Sequence, residues 1–146
     1  MLVAGYDLDP GLAYEPETNL WVAELGDGRA RVGYDPLGAE TTGDVVAISF
    51  AAPGVRVERG ESLGTVEAAK FVGPLAAPVG GVLVAGNPAV LDAPGSVNAD
   101  PFGAWLVELT DIDAGDLARL VRGPEAITPW FAAAVERFRR AGAIAQ

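Results

Sequence analysis

Short apolar segments alternate with turn-forming residues along most of the chain. Through residue 109, runs rich in Val, Leu, Ile and aromatic residues are separated by Gly, Pro and Asp, which is typical of a sandwich or barrel of short strands. Asp27-Gly28, between NLWVAEL and RARVGY, is a strong hairpin signal, and DVVAISF predicts a buried strand. In GVRVERGE, Val55 and Val57 alternate with charged residues, which predicts a strand with one face in the core.

Beyond residue 109 the pattern becomes helical. The segment from Asp113 through the run LARLVRG predicts a short capped helix that ends at Gly123. The run ITPWFAAAVERFRRAG predicts a second helix with Thr128 as N-cap, Pro129 at the first helical position and Gly142 as its stop. One face of that helix, expected to pack on the core or alternatively to bind a partner, carries Phe131, Val135 and Phe138.

Composition excludes several kinds of chemistry. The 146 residues include no Cys and no His, and 20 acidic against 10 basic side chains give a formal charge of −10 at pH 7. Without imidazole or thiolate there is no usual general base, nucleophile or zinc site, so a single non-catalytic domain without a metal is expected. Nucleic acid is a poor partner for so acidic a chain. No signal segment or membrane span is recognisable, so we expect a cytoplasmic protein that does not bind a membrane.

Two short motifs do not carry the function that they suggest. GESLG (residues 60–64) matches the nucleophile elbow of serine hydrolases, but that site needs a His, which the chain lacks. DIDAGD (residues 111–116) has acidic spacing reminiscent of a calcium loop, but it lacks the ordered Asp positions and the distal Glu of such a loop. We therefore interpret the first motif as a turn and the second as a helix start.

Lys70 is the only lysine in a chain that contains nine arginines. A strand SLGTVEA, a short turn around Lys70 and a second strand ending in LAAP would present its amine at a hairpin tip. A primary amine in that place suits covalent attachment, because amide formation removes the charge and makes the side chain a tether. The alternative is a single lysine left on a solvated turn by compositional bias.

A weak internal repeat surrounds this lysine. Residues 50–57 contain Phe-Ala-Ala-Pro followed by Val-x-Val, and residues 75–84 contain Leu-Ala-Ala-Pro followed by Val-x-Val. Each copy reads as the end of a strand, a turn and an alternating strand. The repeat predicts two similar halves with Lys70 in the connection between them.

The stretch GTVEAAKFVGPLAAPVGGVLVAGNPAVLDAPGSVNADPFGAW resembles the lipoyl-bearing region of the glycine cleavage system H-protein family. The positions that match the motifs of that family are Gly64, Glu67, Lys70, Leu75, Pro78, Gly81, Asn87, Pro94, Val97, Asn98, Asp100, Pro101, Phe102, Gly103 and Trp105. The resemblance extends over residues 14–122. It implies a mainly β fold, a barrel-sandwich hybrid of two small antiparallel sheets with C-terminal helices. It also divides the chain into an N-terminal extension (1–13), a carrier domain (14–122) and a C-terminal helix (123–146).

The same resemblance implies a function and its residues. Lys70 would carry covalent lipoate, and Glu67 and Gly64 would be recognised during lipoylation. The arm would shuttle an aminomethyl or dithiol group between glycine dehydrogenase (P protein), aminomethyltransferase (T protein) and dihydrolipoyl dehydrogenase. A lipoate ligase or lipoyl transferase would attach it. The dithiolane would supply the sulfur chemistry that a chain without cysteine cannot.

The chain departs from the family at positions that matter for the cargo. Asn19 and Leu20 precede Trp21 where the family usually has His and Glu, and Pro74 stands where it usually has Asp. Those polar positions are associated with holding the charged aminomethyl arm, and carboxylates are the strong partners of an ammonium group. The departures make attachment of lipoate better supported than service in glycine cleavage.

Three alternatives stay open. The chain could be an H-like lipoate-binding protein of another pathway, linked to sulfur oxidation or to protein modification. It could be an unlipoylated paralogue that acts as a binding module. A biotin carrier is less well supported, because such carriers usually have Met on both sides of the lysine, whereas this chain has Ala69 and Phe71.

Overall fold

The computed structural model describes residues 1–145, and most of its regular elements are short strands. The strands are β1 (Leu2–Val3), β2 (Tyr6–Asp7), β3 (Ala13–Tyr14), β4 (Leu20–Gly26), β5 (Arg29–Tyr34), β6 (Val45–Phe50), β7 (Arg56–Val57), β8 (Ser62–Ala68), β9 (Val72–Ala76), β10 (Gly81–Gly86) and β11 (Val107–Thr110). The helices are α1 (Pro36–Thr42), α2 (Pro88–Asp92), α3 (Ser96–Ala99), α4 (Ala114–Leu117) and α5 (Pro124–Arg140).

Antiparallel pairing organises these strands into two main sheets. A six-stranded sheet has the order β3-β4-β5-β11-β10-β7, a three-stranded sheet has the order β6-β8-β9, and β1 and β2 form a separate hairpin. The mainly β prediction is confirmed, with two antiparallel sheets that do not close into a barrel and with helices near the C-terminus. One sheet is larger than expected because β3, β4, β5 and β11 all join it.

The two similar segments occupy equivalent places in this arrangement. Strands β6 and β9 flank β8 in the three-stranded sheet, while β7 and β10, which follow them, pair with each other in the six-stranded sheet. Each segment therefore passes from one sheet to the other in the same way. Strand β8 and the turn that contains Lys70 lie between the two.

The turn between β4 and β5 was predicted correctly from the local sequence. Asp27 and Gly28 connect β4 to β5 and both have positive φ, 55° and 74°, as a type I′ turn requires. The neighbouring expectation for Val55 is wrong. Val57 is buried, but Val55, which precedes β7, is 41% exposed.

Both C-terminal helices begin or end elsewhere than predicted. Helix α4 begins after the Asp113 cap but ends at Leu117, because Val121 leaves the helical path and forms a bridge with Tyr14. Helix α5 begins at Pro124 rather than after Thr128, so Pro129 lies inside it. The earlier start buries Ile127 completely, which offsets the hydrogen bond that an interior proline removes.

The end of α5 agrees with the prediction. Gly142 has a φ of 75°, and it donates to Arg139 while Ala143 donates to the carbonyl of Phe138. This is the Schellman pattern, in which a left-handed glycine stops the helix. Phe131 and Val135 are buried and Phe138 is partly buried, so the predicted face does pack on the core.

The core has two parts. The first lies among the sheets and includes Val32, Leu63, Val66 and Leu109, all of them fully buried. The second joins the terminal segments to β4 and α1, and its buried members are Val3, Leu8, Tyr14, Trp21, Leu37, Ile127, Phe131, Ala134, Val135 and Ile144. Segments 1–13 and 123–145 thus share a hydrophobic cluster with the carrier region. The division at residues 14 and 122 stays a prediction, and Gln146 lies outside the described residues.

Candidate functional site

Lys70 lies at the tip of the hairpin formed by β8 and β9, as the sequence predicted. Strand β8 ends at Ala68, β9 begins at Val72, and the Ala68 N–H donates to the carbonyl of Phe71 at 2.8 Å. The Lys70 side chain is exposed, and within residues 1–145 its ammonium group has no hydrogen bond or ion pair. The amine is therefore accessible on a short, closed turn.

The Lys70 turn (residues 69–71) is held from outside by backbone atoms. Lys70 N–H donates to the carbonyl of Thr42 at 3.0 Å, and Ala69 N–H donates to the carbonyl of Asp44, also at 3.0 Å. Gly43, between these two acceptors, has a φ of 81°, and a Cβ there would lie 3.1 Å from the backbone nitrogen of Lys70. Residues 42–44, at the end of α1, are thus a platform that fixes the backbone of the attachment residue.

Asn98 fastens this platform to the rest of the molecule. Its Nδ2 donates to the carbonyls of Ala39 at 3.2 Å and Gly43 at 2.8 Å, and its Oδ1 accepts from Val45 N–H at 2.9 Å. One side chain therefore joins the end of α1 to the start of β6. Sequence reasoning included Asn98 only as a family position, because these partners are more than fifty residues away in the chain.

Asp35 begins the helix that carries the platform. It is fully buried and caps α1 by accepting from Gly38 N–H at 2.8 Å, and Asn19 Nδ2 donates to its other oxygen at 3.1 Å. Burial raises the pKa of this carboxyl from 3.8 to about 7, although its hydrogen bonds favour the charged form. Asp35 was not among the residues predicted from the sequence. The pair Asp35-Pro36 carried a usable signal, since Asp at N-cap followed by Pro is a helix start.

The raised pKa of Asp35 predicts a pH dependence of stability. The folded state binds a proton there more tightly than the unfolded state, so the free energy of unfolding should fall as pH rises from about 4 to about 7. Between pH 5.5 and pH 7.5 the expected loss is about 2 kcal/mol. Urea unfolding across this range should show the loss in the wild type and not in Asp35→Asn, whose amide can still cap α1. Repulsion from the net charge affects both proteins alike. Equal slopes of unfolding free energy against pH in the two proteins would therefore contradict the assignment to Asp35.

Glu67 and Gly64 both lie on β8, before the Lys70 turn. Glu67 is exposed and faces Ala47 on one side and Val72 on the other, with no side-chain partner within residues 1–145. Gly64 has a φ of 153°, and a Cβ there would overlap the carbonyl oxygen of Ser49. Gly64 therefore has a packing role.

Two grooves lie on either side of the Lys70 turn. The first has a volume of about 570 Å³ and includes Glu40, Asp44 and Asn98 in its lining. The second has a volume of about 310 Å³, and its lining includes Glu17, Asn19, Leu20, Phe71, Pro74 and Phe138. The three positions that depart from the family thus line one groove beside the turn. Among the described residues that line that groove, Glu17 is the only carboxylate.

The sequence and the fold both match known proteins. A family model described as glycine cleavage H-protein matches residues 12–128. The chain belongs to the glycine cleavage H-protein family. Two proteins named glycine cleavage system H protein illustrate the similarity. That of Mycobacterium avium is 39% identical over 112 residues, or 76% of this chain and 84% of the relative. That of Methylococcus capsulatus is 36% identical over 115 residues, or 79% and 90%.

A crystal structure shows the same fold. The glycine cleavage system H protein from Mycobacterium marinum matches with a TM-score of 0.64 and 34% identity, covering 70% of this chain and 85% of that one. The predicted family and fold class are confirmed, and the named relatives support the predicted role of a lipoyl carrier in the glycine cleavage system. H-protein-family members are carrier subunits that bear lipoate and work with the P, T and dihydrolipoyl dehydrogenase proteins.

A helix that crosses a membrane must be both long and apolar. Within residues 1–145, none is both long enough and apolar enough to cross a bilayer.

Proposed function

We propose that Lys70 is the lipoyl attachment site of this H-protein-family chain, and that the chain is a non-catalytic carrier in the cytoplasm. The observation that carries the proposal is the amine of the only lysine, which is exposed and has no partner in the described part of the chain, on a turn whose backbone is fixed by Thr42 and Asp44. A fixed backbone under a free side chain suits a tether. The attached arm would move between the P protein, the T protein and dihydrolipoyl dehydrogenase.

Attachment requires an enzyme that activates the lipoyl carboxyl group. In a ligase reaction with ATP, the Lys70 amine attacks the carbonyl carbon of a lipoyl-AMP anhydride. The amide C–N bond forms, the C–O bond to AMP breaks, and the amine loses its proton to water. A lipoyl transferase would use another acyl donor. Glu67, exposed three residues before Lys70, is the proposed recognition residue, and Gly64 supports recognition by keeping β8 in its path against β6. Bound lipoate supplies dithiol and disulfide chemistry.

The residues at the site fit such an arm. Lys70 supplies the amine, and both grooves adjoin the turn, so an arm attached there has neighbouring concave surface on either side. Phe71, Pro74 and Phe138 give the second groove an apolar wall, which suits the hydrocarbon part of lipoate. The chain therefore offers both an attachment point and a groove against which the attached arm can pack.

The neutral side chains at positions 20 and 74 favour a second candidate, a lipoate carrier of another pathway. An ammonium group on the arm would find no carboxylate at either position. Among the described residues that line the second groove, Glu17 is the only carboxylate. A cargo without a positive charge would not need the missing carboxylates. Sulfur oxidation and lipoate-dependent protein modification are the alternative settings.

One two-stage experiment tests the proposed function. The apo chain is incubated with a purified lipoate ligase, lipoate and ATP, and intact mass is measured; we expect the gain of one lipoyl group per chain. The lipoylated sample is then tested for glycine-dependent exchange of the carboxyl carbon with purified P protein, and exchange is expected. No gain in mass would favour the unlipoylated binding module. Full lipoylation without exchange would favour the carriers of other pathways.

A further inference from the structure

Exposed apolar side chains gather at the end of the three-stranded sheet where Lys70 lies. Val46 is 68% exposed, Val72 is 75% exposed and Phe71 is 40% exposed. The other large apolar side chains exposed in residues 1–145 belong to other elements: Leu2, Leu25, Val55, Val84 and Leu91. A single exposed apolar residue is ordinary, but several at one place indicate an interaction surface.

The pairing of the strands shows how these side chains relate to Glu67. Val72 on β9 is the cross-strand partner of Glu67 on β8, and Glu67 is in turn the partner of Ala47 on β6. Val46 is the extra residue where the register of β6 shifts, beside Ala47. The two valines therefore lie on either side of Glu67. We call Val46, Phe71 and Val72 the apolar patch.

Apart from Lys70 itself, the charged side chains that line the surface around the patch are acidic. Two grooves adjoin the Lys70 turn, and a shallow depression covers the outer face of the sheet between β6 and β8. Among residues 1–145, Lys70 is the only cation in these three linings, and their carboxylates are Glu17, Glu40, Asp44 and Glu67. A complementary partner would bring an apolar contact surrounded by lysine and arginine.

We propose that the apolar patch, with Glu67 between its two valines, is the surface on which the lipoate-attaching enzyme binds before it acylates Lys70. This inference rests on Lys70 being the attachment site. An enzyme that acylates the amine must bring its acyl group to about 3 Å from Nζ. The lysine stem has only four carbons, so that enzyme must cover the residues beside the turn. Enzymes that act on the dithiolane meet it at the end of a longer arm and need not touch the patch.

The patch therefore affects attachment rather than later steps. Removing its apolar surface should weaken binding of the apo chain to the attaching enzyme. It should not slow the chemistry once the amine is in place, because neither valine contacts the reacting atoms. Reduction of the lipoyl group after attachment should not change.

The test uses the full apo chain, a purified lipoate ligase, lipoate and ATP, with the double variant Val46→Ser/Val72→Ser. We expect the KM for the apo chain to rise about tenfold and kcat to stay within a factor of two. The matched control is Leu2→Ser/Leu91→Ser, which removes two exposed leucines elsewhere and should leave both constants unchanged. Unfolding midpoints of all variants should agree, and after complete lipoylation dihydrolipoyl dehydrogenase should reduce each at the same rate.

Three results would overturn the inference. The first is a KM for the patch variant equal to that of the wild type, and the second is an equal rise in the control. The third is self-association through the patch, seen as a wild-type dimer in sedimentation that the patch variant abolishes without any change in acylation. If the wild type itself is not acylated, attachment at Lys70 is wrong and the proposed function fails first. An acylated wild type with an unaffected variant rejects the patch alone.

Discussion

Replacing Lys70 with arginine is expected to abolish acylation of the chain completely. Arginine keeps the positive charge, but its guanidinium group is not an acceptor for the lipoyl amide, and the chain has no other lysine. The remaining primary amine, at the N-terminus, lies 2.8 Å from Asp7 in an ion pair and is distant in sequence from the hairpin. Incubation with ligase, lipoate and ATP followed by intact mass measurement should give only the unmodified mass.

Folding should not change in the Lys70→Arg variant. The Lys70 side chain is exposed and has no partner within residues 1–145, so the free energy of unfolding should stay within about 0.5 kcal/mol of the wild type. A loss of acylation with retained stability separates attachment from support of the fold.

A swap variant provides the matched control for position. Lys70→Arg combined with Arg140→Lys keeps one lysine and nine arginines, and it moves the amine to an exposed place at the end of α5. We expect no lipoyl gain, because the lysine is then outside a fixed hairpin turn. Acylation of the swap variant at the wild-type rate would show that the enzyme reads any exposed lysine, and it would contradict the argument from the turn.

Replacing Gly64 with alanine is expected to lower the free energy of unfolding by about 3 to 5 kcal/mol. The added Cβ would overlap the carbonyl oxygen of Ser49 and lie 2.8 Å from Cα of Phe50, at a φ of 153°. Both neighbours are backbone atoms of β6. They cannot move away without breaking the pairing of β6 with β8, in which Phe50 is opposite Gly64 and Ser49 is opposite Thr65. Urea unfolding followed by circular dichroism measures the loss.

Gly54→Ala is the control for this change. Gly54 also has a positive φ, 89°, but a Cβ there would meet nothing within 4 Å. It should therefore show only the cost of the backbone conformation, about 1 kcal/mol. Equal losses in the two variants would show that close approach to β6 is not the cause. The acylation rate of Gly64→Ala should be measured only under conditions where the variant is folded, because the loss of packing at this position affects the fold whether or not Gly64 is recognised.

Local patterns in the sequence predicted the parts of this fold that depend on near neighbours. The hairpin at Asp27-Gly28 follows from the positive φ values that these two residues accept. The Lys70 hairpin follows from two short apolar runs and the turn between them. The stop of α5 at Gly142 follows from the same preference of glycine. In each case residues within a few positions of one another determine the conformation.

The errors arose where distant residues decide. Helix α5 starts at Pro124 because Ile127 and Phe131 are buried together with residues of the N-terminal segment, and no local signal near Thr128 reports that contact. Segment 118–121 reads as helix, yet Val121 pairs with Tyr14, more than a hundred residues earlier. Tertiary contacts override propensity in both places.

The candidate site shows the same division. Lys70 could be predicted because it is unique and lies in a recognisable turn, and family motifs supplied Glu67 and Gly64. The platform could not be predicted, since Asn98 reaches Gly43 across 55 positions of the chain. The gathering of positions 19, 20 and 74 in one groove also required the folded arrangement.

The backbone bonds that hold the Lys70 turn have a consequence for evolution and design. Thr42 and Asp44 grip the turn through the N–H groups of residues 69 and 70, and every amino acid except proline offers that group. The shape of the tip therefore does not depend on which side chains it displays. In a carrier built in this way, substitution of a few exposed residues can change which enzyme modifies the turn, or which prosthetic group is attached, while the backbone hydrogen bonds stay the same.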